Sequence, residues 1–278
     1  LLNADPDKQA LADLFSGTSA THDAAGGLFG HFGALLVERA RLSPGDRVLD
    51  VAAGTGASLV PAAHRVGATG SVVGLDLAPG MVGRLRELIA RLGIENAEAL
   101  VGDAESLPFQ DESFDAVICG FGLFFFPDTD RALGEIRRVL RPGRQLALST
   151  FTRAGSDSMD AIWAQIAAFI PVPSAVDHRR RFDEVSHLLD AFARAEFEEV
   201  TVEASPFELV FPDADTWFSW LRSMEFGQHL ARMTPDMLEQ FRRSAASDFF
   251  RQTGGPSVRF RMDAYLTLGR RSSRLAAA

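Results

Sequence analysis

The chain has 278 residues, enough to bury a full core, and its 46% apolar and 23% charged composition is that of an ordinary globular protein. A formal net charge of −9 disfavours nucleic acid and anionic membranes as partners. The single cysteine, Cys119, excludes an internal disulfide and argues against a thiolate metal site, and no apolar run approaches the ~20 residues that span a bilayer.

The opening residues hold no basic segment followed by an apolar one, so no export signal is expected and the chain is placed in the cytoplasm. A short helix is predicted over Asp7 to Phe15. A second runs from Leu28 to Arg41, with apolar residues at the helical spacing 28, 32, 35 and 36. From there strands and helices alternate. Strand 47–52 leads to a helix over 57–66, strand 71–76 to a helix over 79–92. Strands 97–101 and 114–119 follow, then a helix over 129–140, a turn at Arg141-Pro142-Gly143 and strand 144–150. Such alternation predicts a parallel sheet covered on both faces, with ligands at the strand C-terminal ends. Beyond residue 150 the pattern predicts helices over Ser158–Ile170 and Phe182–Arg194 and a strand over Phe197–Val210. Helix-rich residues 213–251 and a last strand over Val258–Leu268 complete the chain. We read one domain: a helical cover over 1–40, a binding core over 41–150, a second cover over 151–257 and a final strand over 258–270.

The chemistry gathers at the predicted strand ends. The segment Val48-Leu49-Asp50-Val51-Ala52-Ala53-Gly54-Thr55-Gly56 is an apolar strand running into a glycine turn. Asp76 ends the second strand, Gly102-Asp103-Ala104 follows the third, and Cys119-Gly120-Phe121 ends the fourth. Glycines let a ligand lie against bare backbone. Asp50 orients that turn or balances an ammonium group, Asp76 accepts from two ribose hydroxyls, and Asp103 accepts from an adenine amino group beside the N–H of Ala104. This set fits S-adenosylmethionine, which carries a sulfonium and no phosphate, so no Lys or Arg anchor is needed. A dinucleotide site wants Gly or Ala three residues after the second glycine, where this chain has Leu59, and no Gly-Lys-Ser/Thr phosphate loop is present.

On these segments the chain resembles the class I S-adenosylmethionine-dependent methyltransferases, and most of all the small-molecule type related to ubiquinone/menaquinone C-methyltransferases. The matching stretches are Val48–Gly56, Gly74–Met81, Gly102–Phe109, Phe114–Asp128 and Leu140–Thr150. The resemblance implies a Rossmann-like seven-stranded, mostly parallel α/β sheet with the last strand antiparallel, helices on both faces and a helical lid. It implies S-adenosylmethionine as cofactor, S-adenosylhomocysteine as product, and contacts from Asp50, Ala52, Gly54, Gly56, Asp76, Leu77, Met81, Gly102, Asp103, Ala104, Cys119 and Phe121. Two departures stand out: Ala52 occupies the family's first glycine, and His22-Asp23 stands where a Tyr-Asp pair is common.

Each residue also has a plainer structural reading. Cys119 reads as a small buried thiol rather than a nucleophile, and the run His178–Arg181 as a solvated loop. No histidine pair has metal spacing, so no metal is expected. His22 and His229 are the base candidates, needed only where the acceptor must lose a proton. Phe124, Trp217, Trp220 and Met224 are taken as the acceptor wall, although the aromatic cluster equally suits a face docking on the core. The expected partner is a small, largely apolar acceptor methylated on O, N or C; self-association, for instance as a homodimer, is left open. A cyclase or isomerase that holds S-adenosylmethionine without transferring methyl, and a non-catalytic binding regulator, are the alternatives.

Overall fold

The computed structural model describes residues 6–20, 27–172, 180–224, 226–253 and 258–273. Five strands follow the alternation in the sequence: Arg47–Val51 (β1), Ser71–Asp76 (β2), Ala97–Val101 (β3), Phe114–Gly120 (β4) and Leu140–Phe151 (β5). All their mutual pairings are parallel. Every residue of β4 from Phe114 to Cys119 is buried. Successive strand residues face opposite sides, so both faces of the sheet are covered.

The covering helices are Pro6–Thr18 (α1), Leu28–Arg39 (α2), Leu59–Val66 (α3), Pro79–Leu92 (α4), Thr129–Val139 (α5), Arg153–Ala167 (α6) and Val185–Arg194 (α7). Helix α6 starts at Arg153 rather than 158, because Thr152 caps it by accepting from Gly155 N at 3.3 Å. Helix α3 starts at Leu59, two residues later than expected, because Gly54 to Ser58 are spent on turns.

The second half departs most from the sequence reading. The strand expected over 197–210 is two strands, Phe197–Ser205 (β6) and Glu208–Phe211 (β7), and the last strand is also two, Val258–Arg261 (β8) and Ala264–Arg271 (β9). The breaks coincide in space. Pro206 has no N–H to give a ladder, and at the crossing Asp263 Oδ1 accepts from Phe207 N at 3.2 Å while Met262 N donates to Phe207 O at 2.7 Å. β7 and β8 peel away as a two-stranded ribbon. The remaining strands form one seven-stranded sheet in the order β3-β2-β1-β4-β5-β9-β6, with β9 antiparallel to both neighbours. The ribbon packs with Ala214–Ser223 (α8), Gly227–Leu230 (α9), Pro235–Thr253 (α10) and α6 as the second cover.

Candidate active site

β1 delivers the chain into a left-handed turn: φ is +55° at Ala52, +52° at Gly54 and +101° at Gly56. This conformation costs an L side chain roughly 1–2 kcal/mol, so a glycine is the ordinary occupant at position 52. The alanine methyl is housed by a second glycine, since a Cβ built on Gly122 would lie 2.5 Å from Ala52 Cβ. Leu59 is accommodated in the same way. A Cβ on Gly74 of β2 would meet Leu59 Cδ1 at 2.7 Å, so the glycine that lets α3 pack lies on the sheet rather than on the helix. Gly33 of α2 comes down on the turn from the other side, where a Cβ would lie 2.3 Å from Ala57 O.

Asp76 holds this turn shut. Its Oδ2 accepts from Gly54 N at 2.8 Å and its Oδ1 from Ala78 N at 2.9 Å. Burial raises its pKa above the ordinary carboxylate range, and the donated N–H bonds pull the other way. Asp50 is more extreme. It is 1% exposed, its Oδ2 has no hydrogen-bond partner, and burial, seconded by the Asp76 charge, pushes its pKa well above the usual range. A buried carboxylate oxygen without a donor is costly unless a ligand supplies one. A cationic group beside it, such as the ammonium of S-adenosylmethionine, fits that vacancy in hydrogen bonding.

Behind the turn, Cys119 is fully buried, and desolvation together with the Asp50 charge pushes its thiol up to about 12, against the N–H bonds of Gly122 and Leu123. It is a neutral thiol and no nucleophile at physiological pH.

At the far end of the strand edge, Asp103 Oδ1 accepts from Glu105 N at 2.9 Å and Oδ2 from Lys8 Nζ at 2.7 Å. Lys8 also pairs with Glu105 at 2.5 Å. Burial would lower the Lys8 pKa, but the hydrogen bonds to Asp103 and Glu105 outweigh it and hold it above its ordinary value. No basic residue is expected at this end from the sequence. Lys8 comes from α1, 95 residues away, and nothing in its neighbourhood marks it.

One cavity joins these groups, with about 1460 Å³ of empty space including its open side. Asp50, Ala52, Gly54, Asp76, Leu77, Met81, Gly102, Asp103, Ala104 and Phe121 line it. Gly56 and Cys119 do not. Gly56 instead makes room for α4, where a Cβ would lie 2.7 Å from Leu85 Cδ1. Of the expected acceptor residues, Phe124 and Met224 are on the wall. Trp217 and Trp220 are not; they are buried in the second cover, Trp217 stacked on Phe260 at 6.2 Å and Trp220 against Phe211 at 5.2 Å. His229 is also off the wall, with its ring edge-on to Trp163 at 5.0 Å. His22 lies outside the described residues, as do Asp23 and the first two residues of the basic run. Its remaining two are structural cations: Arg180 pairs with Asp157, Asp160 and Asp183, and Arg181 donates to Phe126 O and Thr129 Oγ1. The sequence reading missed Phe29 of α2, Phe151 of β5 and Met159 of α6, all on the wall. Their spacing marks them as apolar but not as facing a void. Among the described residues no group of three metal-ligating side chains occurs, and no helix is long and apolar enough to cross a membrane.

Residues 48–143 match a family model described as a methyltransferase domain. Aklanonic acid methyltransferase DauC of Streptomyces sp. (strain C5) is 37% identical over 151 residues, which cover 54% of this chain and 69% of that one. Demethylmenaquinone methyltransferase of Listeria monocytogenes serotype 4a (strain HCC23) is 43% identical over 107 residues, 38% of this chain and 45% of that one, so this second match spans less than half of that relative's length. A structure of a putative methyltransferase from Bacillus halodurans C-125 shares the fold, with a TM-score of 0.61 and 24% identity over 86% of this chain and 98% of that one. The extent of the first match, the seven-stranded sheet with its one antiparallel strand and the methyltransferase domain over the strand-end acids together show that the chain belongs to the S-adenosylmethionine-dependent methyltransferases.

Proposed function

We propose that the chain methylates O, N or C of a small, largely apolar aromatic acceptor. The observation that carries this reading is the change of character along one continuous cavity. Acids and glycines at the strand ends give way to Phe121, Phe124, Phe151, Met159 and Met224. When bound, S-adenosylmethionine supplies a methyl group on a sulfonium leaving group, which the acceptor displaces in line to leave S-adenosylhomocysteine. The residues then have to align the two molecules and exclude water. Asp50 faces the ammonium, the Gly54 turn cradles the methionine backbone, and Asp76 accepts from the ribose hydroxyls. Leu77 and Met81 flank the adenine, and Asp103 with the N–H of Ala104 reads its edge. Relatives named for aklanonic acid and demethylmenaquinone, both small molecules, support an acceptor of this size. The net charge of −9 weighs against nucleic acid.

Incubating the protein with methyl-labelled S-adenosylmethionine and a panel of hydroxylated polycyclic aromatics, simple amines and RNA tests this. Label is expected in one or more aromatics. Label in the amines or RNA alone contradicts the proposed acceptor class. Tight cofactor binding with no label in any acceptor turns the reading toward the non-transferring alternatives.

The Asp50 assignment predicts a pH signature. Its raised pKa means that the free protein holds the Asp50 proton beyond the ordinary carboxylate range, and an ammonium at Oδ2 favours the ionised form. Cofactor binding should therefore release protons, and affinity should rise as pH climbs from the ordinary carboxylate value through the raised one. The ligand-free protein should lose stability over the same window, because there the native state binds more protons than the unfolded chain. Calorimetry in buffers of differing ionisation enthalpy measures the proton count. Asp50→Asn should reduce the pH slope to the part that Asp76, whose pKa is also raised, contributes; a slope unchanged in that variant would detach Asp50 from the ammonium.

A further inference from the structure

Helix α1 is held to the molecule in an unusual way. Ala12 is its one fully buried residue, whereas α2 buries Leu28, Phe32, Gly33, Leu36 and Val37. Its inner face, at Lys8, Leu11, Ala12, Phe15 and Thr18, follows helical spacing and forms one wall of the cofactor cavity. Polar tethers fix it toward each end. Lys8 bridges Asp103 and Glu105, and Ser16 Oγ accepts from Gly80 N at 3.1 Å in the first turn of α4. The second tether depends on a missing side chain, since a Cβ on Gly80 would lie 2.7 Å from Ser16 Cα. Phe15 adds an edge-on contact to Phe125 at 5.0 Å.

A helix with so little apolar burial opens at small cost compared with the sheet beneath it. Lys8 holds one end closed: its side chain is 12% exposed and its ammonium is shared by two carboxylates exposed by 26% and 7%. Charge-assisted bonds at a partly shielded site are stronger than fully exposed surface ion pairs, and lifting Lys8 away leaves two neighbouring carboxylates without it. One of those, Asp103, is the acid assigned to the adenine. The latch and the cofactor therefore meet on the same carboxylate, which keeps lone pairs for both because each oxygen accepts one hydrogen bond here.

We propose that α1 is the door through which S-adenosylmethionine enters and S-adenosylhomocysteine leaves, and that Lys8 is the positioning residue that latches it onto the adenine end. The inference rests on the cofactor reading above and goes beyond it by assigning exchange to one helix. Bound cofactor adds contacts to the inner face of α1 and so closes the door further. Weakening either tether opens it.

The test follows release of tritiated S-adenosylhomocysteine after a chase with unlabelled compound, alongside hydrogen exchange of residues 6–18. In the unaltered protein S-adenosylhomocysteine should slow exchange in α1. Lys8→Met should release the compound about tenfold faster, the equivalent of one lost charge-assisted hydrogen bond, and should raise α1 exchange. Lys8→Arg, which keeps the charge, should restore most of the difference. Gly80→Val, which attacks the other tether, should act as Lys8→Met does. A purely structural role would lower the melting temperature and leave the release rate alone. Release and α1 exchange unchanged in both Lys8→Met and Gly80→Val would overturn the door while leaving the cofactor site standing. No binding of S-adenosylhomocysteine to the unaltered protein would instead bring down the cofactor reading, and the door with it.

Discussion

Asp76→Ala is expected to weaken S-adenosylmethionine binding by about a hundredfold or more, roughly 2.7 kcal/mol. Two losses combine. The N–H groups of Gly54 and Ala78 lose their carboxylate acceptor, and a buried donor left unsatisfied costs about 1–3 kcal/mol. The glycine turn loses the strut that fixes it against β2, so the methionine cradle is no longer formed in advance and its ordering has to come out of binding. On the proposed cofactor reading, the ribose hydroxyls lose their acceptor as well. Asp76→Asn separates these effects. Its amide keeps one acceptor oxygen for one of the two backbone donors, so the turn survives in part while ribose recognition suffers; a loss of about tenfold is expected. Titration calorimetry measures both, and thermal denaturation without ligand shows how much of the change belongs to the turn itself. Should the alanine variant bind within about threefold of the unaltered protein, Asp76 would be a turn acid and nothing more.

How much of this was legible in the sequence follows from what each signal encodes. The parallel core was readable because β1, β2 and β4 are apolar runs bounded by turn residues, and acids stand out where β1 and β2 end. Asp50, Asp76 and Asp103 were legible as a set since β1, β2 and β3 lie side by side. The glycines were less so. Gly54 and Gly56 look alike in sequence, yet the first lines the cavity and the second makes space for Leu85. The glycines that house Ala52 and Leu59 are Gly122 and Gly74, each on another strand or loop. Lys8 was illegible for the same reason: its meaning lies in partners 95 and 97 residues away. The breaks at Pro206-Phe207 and Met262-Asp263 were missed because each flanking strand is good on its own. Only their pairing through Asp263 shows that two long strands are four. Trp217 and Trp220 suit acceptor wall and docking face equally in sequence, because helical periodicity reports a buried face without saying whether protein or ligand buries it.

Trp217→Ala tests the separation between that cover and the cofactor core. Trp217 is fully buried, with Phe260 stacked on it at 6.2 Å and 9° between planes and Phe241 at 6.3 Å and 24°. Truncating a large core aromatic removes its transfer free energy and leaves a cavity that neighbours fill only in part, a loss of about 3–5 kcal/mol. The loss falls where α8, α10 and the β7–β8 ribbon meet, away from the strand-end acids. Met224, at the C-terminal end of α8, carries the consequence to the acceptor end, since it lines the cavity one residue beyond the helix that Trp217 anchors. The expected result is a melting temperature lower by about 5 °C or more, an acceptor KM raised severalfold, and a dissociation constant for S-adenosylmethionine within about threefold of the unaltered protein. Trp217→Phe, which keeps a ring to stack, should recover most of the loss. If cofactor affinity instead falls in step with the acceptor KM, cover and core act as one unit, and acceptor selection cannot be altered in the cover without disturbing the cofactor site.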